Sequence, residues 1–166
     1  MNTENLIQNI DAIFFDFDGV LTNNLVYTSS NGDEFVSCNR SDGLAFEVLK
    51  LLSIKIYIIS SEKNSVVKKR ASKLKVKCFS GIKDKSSTIK KISKKDKFSL
   101  RNSMFVGNDL NDFSAMKLCK YTACPSDSHA KIKRIVKFKL RLRGGEGIVR
   151  ELVEEVFKIN VLKYIK

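Results

Sequence analysis

Short apolar runs alternate with stretches of helical spacing from one end of the chain to the other. Residues 11–16 (DAIFFD) are apolar, aromatic and stopped by DGV, which predicts a short buried strand. Two further strand-like pieces, 25–28 and 34–38, flank Ser29-Ser30-Asn31-Gly32-Asp33 and predict a hairpin. Ser41 or Asp42 caps a predicted helix to about Leu52, with Leu44, Val48, Leu49 and Leu52 on one face. Residues 54–59 (IKIYII) read as a second buried strand. Ser61 then caps a helix from Glu62 to about Lys73, with Val66, Val67 and Ala71 facing inward. A third strand is expected over 76–79, a helix over 85–94 with Ile89 and Ile92 inward, and a fourth strand over 103–106. A helix over 109–119, a strand over 121–124, a helix over 127–134 and an extended piece over 136–140 follow. Gly144-Gly145-Glu146-Gly147 breaks the chain before a closing helix over 147–158. Strands that alternate with helices imply βα units, hence an α/β, Rossmann-like parallel sheet with helices on both faces.

Length and composition narrow this picture. The 166 residues suit one domain, 1–166, with a hairpin flap at about 23–38, a closing segment at about 141–166 and no inserted cap domain. With 43% apolar residues, a sizeable core can be buried. No run approaches the ~18 apolar residues that suggest a membrane span. The N-terminus shows no basic start followed by a long apolar stretch, so a cytoplasmic protein without a signal peptide is expected. The four cysteines form no CxxC pair and there is one histidine, so reduced thiols are expected rather than zinc ligands. The net charge of +13 raises the question of a polyanionic partner. The basic runs, however, are spread along the chain, and aromatics are not interleaved as in a base-stacking platform. A Lys-rich solvated surface is the preferred reading; nucleic acid and membrane are not expected partners. A positive field also helps recruit an acidic, phosphorylated substrate.

Ligands of open α/β sheets bind beyond the carboxyl ends of the strands. The polar residues there are Asp16 and Asp18 after the first strand, Ser60 after the second, and Asn108, Asp109 and Asp112 after the fourth. Lys85 opens the helix after the third. Carboxylates gathered at one point repel unless a cation intervenes, and hard oxygen ligands in a small site favour Mg²⁺. A carboxylate held ionised there can attack phosphorus and form an aspartyl phosphate. A second carboxylate two residues on can protonate the leaving oxygen and then activate water. Ser60 and Lys85 can hold the phosphoryl oxygens. Each piece alone has a plainer role: Asp16-Phe17-Asp18-Gly19 as a turn, Ser60-Ser61 as a cap, Lys85 as one more surface lysine. Their occurrence together, in order and each at a strand end, favours a site. His129 has no acid or nucleophile beside it in sequence and is expected to be a surface or capping residue.

Asp16-Phe17-Asp18-Gly19-Val20-Leu21-Thr22 resembles the first motif of haloacid dehalogenase-type phosphatases. Ile58-Ile59-Ser60 resembles the second, Lys85 the third, and Gly107-Asn108-Asp109-Leu110-Asn111-Asp112 the fourth. The hairpin, Arg40-Ser41-Asp42-Gly43 and Arg143 to Glu151 are similar to the 3-deoxy-octulosonate 8-phosphate phosphatase group. That group includes nononate 9-phosphate phosphatases and the phosphatase-like domain of acylneuraminate cytidylyltransferases. The stretch from Ser60 to Val76 looks most like the nononate branch.

This resemblance implies a Mg²⁺-dependent phosphatase acting on a small phosphorylated sugar acid in cell-surface sugar biosynthesis. It implies a homotetramer in which hairpins associate and a neighbour helps cover each site. It makes Asp16 the nucleophile and a metal ligand, and Asp18 the acid/base with its carbonyl on the metal. Asn108, Asp109 and Asp112 complete the metal set, and Ser60 and Lys85 bind phosphoryl. Thr22, Ser61, Glu62, Arg70, Arg143, Gly144 and Gly145 are the substrate-binding candidates. Arg70 would pair with the sugar-acid carboxylate, and the glycine-rich Arg143 to Gly147 segment would close over the substrate. Two departures stand out. Asn108 occupies a place where active members usually carry Asp and the cytidylyltransferase-fused relatives also carry Asn; the amide removes one negative charge. Ser61 sits where relatives often have Gly.

Overall fold

Ala12–Phe15 (β1) lies at the centre of the sheet, and all four of its residues are buried. A computed structural model describes residues 6–164; the ends of the expected domain and of the closing segment, 1–5 and 165–166, lie outside the described residues. The other elements in chain order are β2 (Tyr27–Thr28), β3 (Glu34–Phe35), α1 (Ser41–Leu51), β4 (Lys55–Ile59), α2 (Ser65–Leu74) and β5 (Lys77–Phe79). Then come α3 (Lys85–Lys95), β6 (Ser103–Val106), α4 (Phe113–Met116), β7 (Tyr121–Cys124), α5 (Ala130–Ile135), β8 (Phe138–Lys139) and α6 (Ile148–Glu151).

Six strands form one sheet in the order β5-β4-β1-β6-β7-β8, every pair parallel. Successive side chains of a strand face opposite sides, so both faces must be apolar. Ile13, Phe15, Ile56, Ile58, Met104 and Val106 meet α1, α2 and α6 on one side. Phe14, Tyr57, Ile59 and Phe105 meet Ile89 and Ile92 of α3, Met116 of α4 and Ile132 of α5 on the other. The parallel arrangement puts the carboxyl ends of β1, β4 and β6 side by side, which assembles the site. β2 and β3 stand apart as an antiparallel pair. No helix among the described residues is long and apolar enough to cross a membrane.

The expected α/β sheet is present; several local expectations are corrected. Leu44 is 40% exposed, because the buried stripe of α1 runs through Ala45, Phe46, Val48 and Leu49 instead. Asn64, not Ser61, caps α2, accepting from the Val66 amide at 3.0 Å. The Glu62 carboxylate binds the Asn64 amide at 2.8 Å and holds the preceding turn out of the helix. The helix expected over 109–119 is a 3₁₀ turn, Leu110–Asp112, followed only by α4. An Asp109–Asp112 capping box fixes that tight turn. α5 starts late because His129 is its N-cap, accepting from the Lys131 amide. The closing helix is α6 continued as a π-helical segment, Leu152–Val156.

Asp42 ties the two ends of the chain together. Only 2% exposed in the first turn of α1, its Oδ1 accepts from the amides of Val149 (2.9 Å) and Arg150 (3.2 Å) at the start of α6. Burial pushes this carboxyl up to about 6, against the pull of those two amides and of Arg70. The folded value lies above the ordinary 3.8, so Asp42 favours folding below that pH and loses the contribution as pH rises through about 6. Asp42→Asn removes the titration. Chemical denaturation should therefore show wild type losing at most about 3 kcal/mol relative to the variant between pH 4 and 7. A stability difference constant across that range would contradict the assignment.

Candidate active site

A buried lysine organises the carboxyl edge of the sheet. Lys85, 2% exposed at the start of α3, places Nζ 2.7 Å from Asp16 Oδ1 and 2.6 Å from Asp112 Oδ1. Asp84, just before it, caps α3 by accepting from the Ser87 amide, which fixes where the helix begins. Burial pulls the Lys85 ammonium down most strongly, yet Asp16 and Asp112 together outweigh it and hold the pKa above its ordinary value. Asp16 follows β1 and is 4% exposed; its Oδ1 also accepts from the Phe17 amide at 2.7 Å. Burial and then the neighbouring Asp112 push its carboxyl up to about 8, with Lys85 opposing.

Asp18 is half-buried beyond Asp16. Its pKa is raised by burial first and then by Glu62, with Lys85 opposing and Glu34 adding. The loop turns back at Gly19, where φ is +78° and the Cα abuts Asn108. A Cβ there would fall 1.9 Å from Asn108 Nδ2, so glycine is required for both conformation and space. Thr22 closes the loop: its Oγ1 accepts from the amides of Gly19 (3.2 Å) and Asn24 (3.3 Å).

Asn108, 8% exposed after β6, shares a pocket of about 440 Å³ with Asp16, Asp18, Asn24, Ser61, Glu62, Asp109, Leu110 and Asn111. Its Oδ1 is buried with no hydrogen-bond partner. A buried acceptor without a donor calls for an explanation, and a hard cation supplies one. Asp16 and Asp18 line the same pocket, so the oxygens present suit Mg²⁺. Asp109 is on the pocket wall with its Oδ1 on the Leu110 amide at 2.7 Å. Asp112 is turned away: its Oδ1 meets Lys85, and its Oδ2 takes the amides of Asn108 (2.9 Å) and Asp109 (3.4 Å). Among the described residues, no three His, Cys, Asp or Glu side chains converge in a metal-binding group; any ion here would depend on the Asn108 amide oxygen.

Ser60 is fully buried below the pocket, its Oγ accepting from the Glu62 amide at 3.0 Å. Ser61 is on the rim, where Asn111 Nδ2 donates to its Oγ at 3.3 Å. The remaining candidates are elsewhere. Arg70 donates from Nη2 to the Asn39 carbonyl at 2.8 Å and does not line the pocket. Gly144 and Gly145 pack behind the loop that follows Asp16, against the backbone of Gly19, Thr22 and Asn23, and Arg143 pairs with Asp127 at 3.5 Å. Sequence reasoning passed over Asn24 and Asn111 as pocket residues. Asn111 carried a signal, lying inside the motif after β6; Asn24 carried only its place just beyond Thr22.

Comparisons with known proteins identify the family. The model of the haloacid dehalogenase-like hydrolase family matches residues 50–152. The 3-deoxy-D-manno-octulosonate 8-phosphate phosphatase of Escherichia coli K12 is 28% identical over 148 residues, 89% of this chain and 79% of that protein. A HAD family hydrolase from Streptomyces avermitilis superposes with a TM-score of 0.90 at 31% identity, covering 93% of this chain and 89% of that one. An octulosonate 8-phosphate phosphatase from Moraxella catarrhalis, solved with magnesium, phosphate and KDO, superposes with a TM-score of 0.88 at 25% identity, covering 94% and 90%. With the sheet, the Asp16–Lys85–Asp112 cluster and these likenesses together, the chain belongs to the haloacid dehalogenase-like hydrolase family and is a phosphoric monoester hydrolase.

Proposed function

We propose that the chain hydrolyses the phosphate ester of a 3-deoxy-2-ulosonic acid, an octulosonate 8-phosphate or a nononate 9-phosphate, in a Mg²⁺-dependent reaction. The observation that carries this reading is Asp16, paired with the Lys85 ammonium at 2.7 Å, lining a pocket with Asp18 and Asn108, whose Oδ1 has no hydrogen-bond partner. Similarity to octulosonate phosphatases over most of the chain supports the substrate class.

In this reading an Asp16 carboxylate oxygen attacks phosphorus, and the phosphorus–ester oxygen bond breaks. Asp18, whose raised pKa suits holding a proton, delivers it to the leaving sugar oxygen. Asp18 then takes a proton from water, which attacks phosphorus, breaks the bond to Asp16 and releases phosphate. Lys85 and Ser60 hold the phosphoryl oxygens. Asp112 keeps Lys85 in place by sharing its ammonium. Mg²⁺ held by Asp16, the Asp18 carbonyl and Asn108 Oδ1 would supply positive charge that keeps Asp16 ionised and offsets charge on the phosphoryl group.

We also propose that the flaps associate into a homotetramer. Leu25, Val26, Tyr27 and Phe35 are 54–62% exposed on β2, β3 and the chain just before them. Such a concentration of apolar side chains is characteristic of interaction surfaces. Sedimentation equilibrium should give a tetramer for wild type and a smaller species for Tyr27→Lys/Phe35→Lys. An unchanged mass in that variant would contradict the interface.

A second reading, a weakly active or non-catalytic module kept for assembly or for a cytidylyltransferase partner, is favoured by the Asn108 amide alone, which would bring no charge to an ion. Phosphate release from the two sugar-acid phosphates separates the readings. Wild type should turn over at least one of them, EDTA should stop turnover and Mg²⁺ should restore it. Asp16→Asn should lose at least about 10³-fold in kcat. Turnover by Asp16→Asn at the wild-type rate would contradict the mechanism. Turnover seen only in Asn108→Asp would favour the second reading.

A further inference from the structure

Behind the pocket, four loops are joined in a ring, and the Asp127 side chain links two of them. Asp127 follows β7, and its Oδ1 accepts from the Gly144 amide at 3.1 Å. Its Oδ2 is 3.5 Å from Arg143 Nε. The same two stretches are joined again where the Ser126 amide donates to the Leu142 carbonyl at 2.9 Å. Gly144 presses on the loop after β1 so closely that an added Cβ would fall 2.3 Å from the Gly19 carbonyl oxygen. Next to it, the Gly145 amide donates to the Val20 carbonyl at 3.0 Å. Gly19 in turn abuts the Asn108 side chain, with room for no Cβ between them. The ring closes where the His129 amide, two residues from Asp127, donates to the Asn108 carbonyl at 2.9 Å.

The other contacts named in this ring are backbone hydrogen bonds or a glycine packed against its neighbour; the two that Asp127 makes come from its side chain. The strap from Arg141 to Arg150 is fixed at its two ends as well. Glu151, 7% exposed, accepts from the amides of Arg141 (2.8 Å) and Leu142 (3.0 Å), and Asp42 accepts from those of Val149 and Arg150. Between these anchors, Asp127 holds Gly144, which presses on Gly19, and Gly19 presses on Asn108.

We propose that Asp127 is a positioning residue. By holding Gly144 it fixes the Gly19 loop against Asn108 and so sets the spacing between the oxygens of the Asp16 loop and Asn108 Oδ1. The strap is then a fixed buttress behind the site. The inference rests on the proposed Mg²⁺-dependent phosphatase reading, since it assigns Asp127 a role in the geometry of that ion site. Partners lying behind metal ligands commonly contribute about 10–100-fold in metal affinity or activity.

The test is Mg²⁺ titration of wild type, Asp127→Ala and Asp127→Asn, by isothermal titration calorimetry with the metal alone and by the Mg²⁺ dependence of phosphate release. Asp127→Ala should weaken Mg²⁺ binding about tenfold and lower kcat by a similar factor, with KM at saturating Mg²⁺ changed less than about twofold. Asp127→Asn keeps an acceptor for the Gly144 amide and loses only the charge facing Arg143, so it should restore Mg²⁺ binding to within about twofold of wild type. Wild-type Mg²⁺ affinity in a folded Asp127→Ala protein would overturn the inference. So would loss in Asp127→Asn equal to that in Asp127→Ala. If Asp127→Ala does not fold, Gly144→Ala, which pushes the same joint from the other side, should show the weakened Mg²⁺ binding, and wild-type affinity there would overturn it. Failure of wild type to bind Mg²⁺ at all would instead count against the phosphatase reading itself.

Discussion

One buried ammonium shared by two carboxylates governs the carboxyl edge of this sheet. Lys85, Asp16 and Asp112 are at most 4% exposed, and Nζ is within 2.7 Å of both acids. Removing such charges from water costs several kcal/mol per ion, and pairing offsets it only when geometry is good. The cluster therefore needs all three members placed together, and three different strands place them. β1 delivers Asp16, the end of β5 leads to Lys85, and β6 leads to Asp112. The parallel register that aligns Phe15 with Val106 on one side and, through Ile58 of β4, with Cys78 of β5 on the other brings the three strand ends together.

The cluster carries two acids and one base, so it retains a surplus of negative charge when both acids are ionised. Burial first, and then the Asp112 charge of that surplus, push the Asp16 carboxyl up to about 8. A cation bound beside Asp16 would oppose that push, and the buried Asn108 Oδ1 has no hydrogen-bond partner. The pocket also runs against the charge of the chain. The protein is +13 overall, yet the pocket is lined by four acids, three neutral amides, one hydroxyl and one leucine. Under the proposed reading, the positive field of the chain would attract a phosphorylated acid over long range, while the acidic inner wall would suit an ion.

The sheet and most of the site were legible in the sequence because both follow from local rules. Buried parallel strands read as continuous apolar runs, and ligand residues follow their carboxyl ends. Asp16, Asp18, Asn108 and Asp109 were found that way, and all four line the pocket. What local rules missed depends on contacts far apart in sequence. Asp42 and Val149 are 107 residues apart, and Asp127 and Gly144 are 17 apart. The glycines of the strap read as a break or a lid, but their tight approach to Gly19 and Thr22 is visible only once the chain has folded. The start of α2 was misplaced because Glu62 binds the following amides and competes with helix initiation, a choice that Ser61 and Asn64 present equally in sequence. Asp112 read as one more oxygen ligand; its engagement by Lys85 and two backbone amides depends on α3 and β6 meeting.

A crystal structure of the protein grown with Mg²⁺ and beryllium fluoride, a phosphoryl mimic, tests the central claim most directly. The beryllium should be bonded to an Asp16 carboxylate oxygen, with fluorides on Lys85 and Ser60 and the ion on Asp16 and Asn108 Oδ1. Lys85 should still be paired with Asp112. A fluoride complex formed elsewhere, or an ion that leaves Asn108 Oδ1 without a partner, would contradict the account.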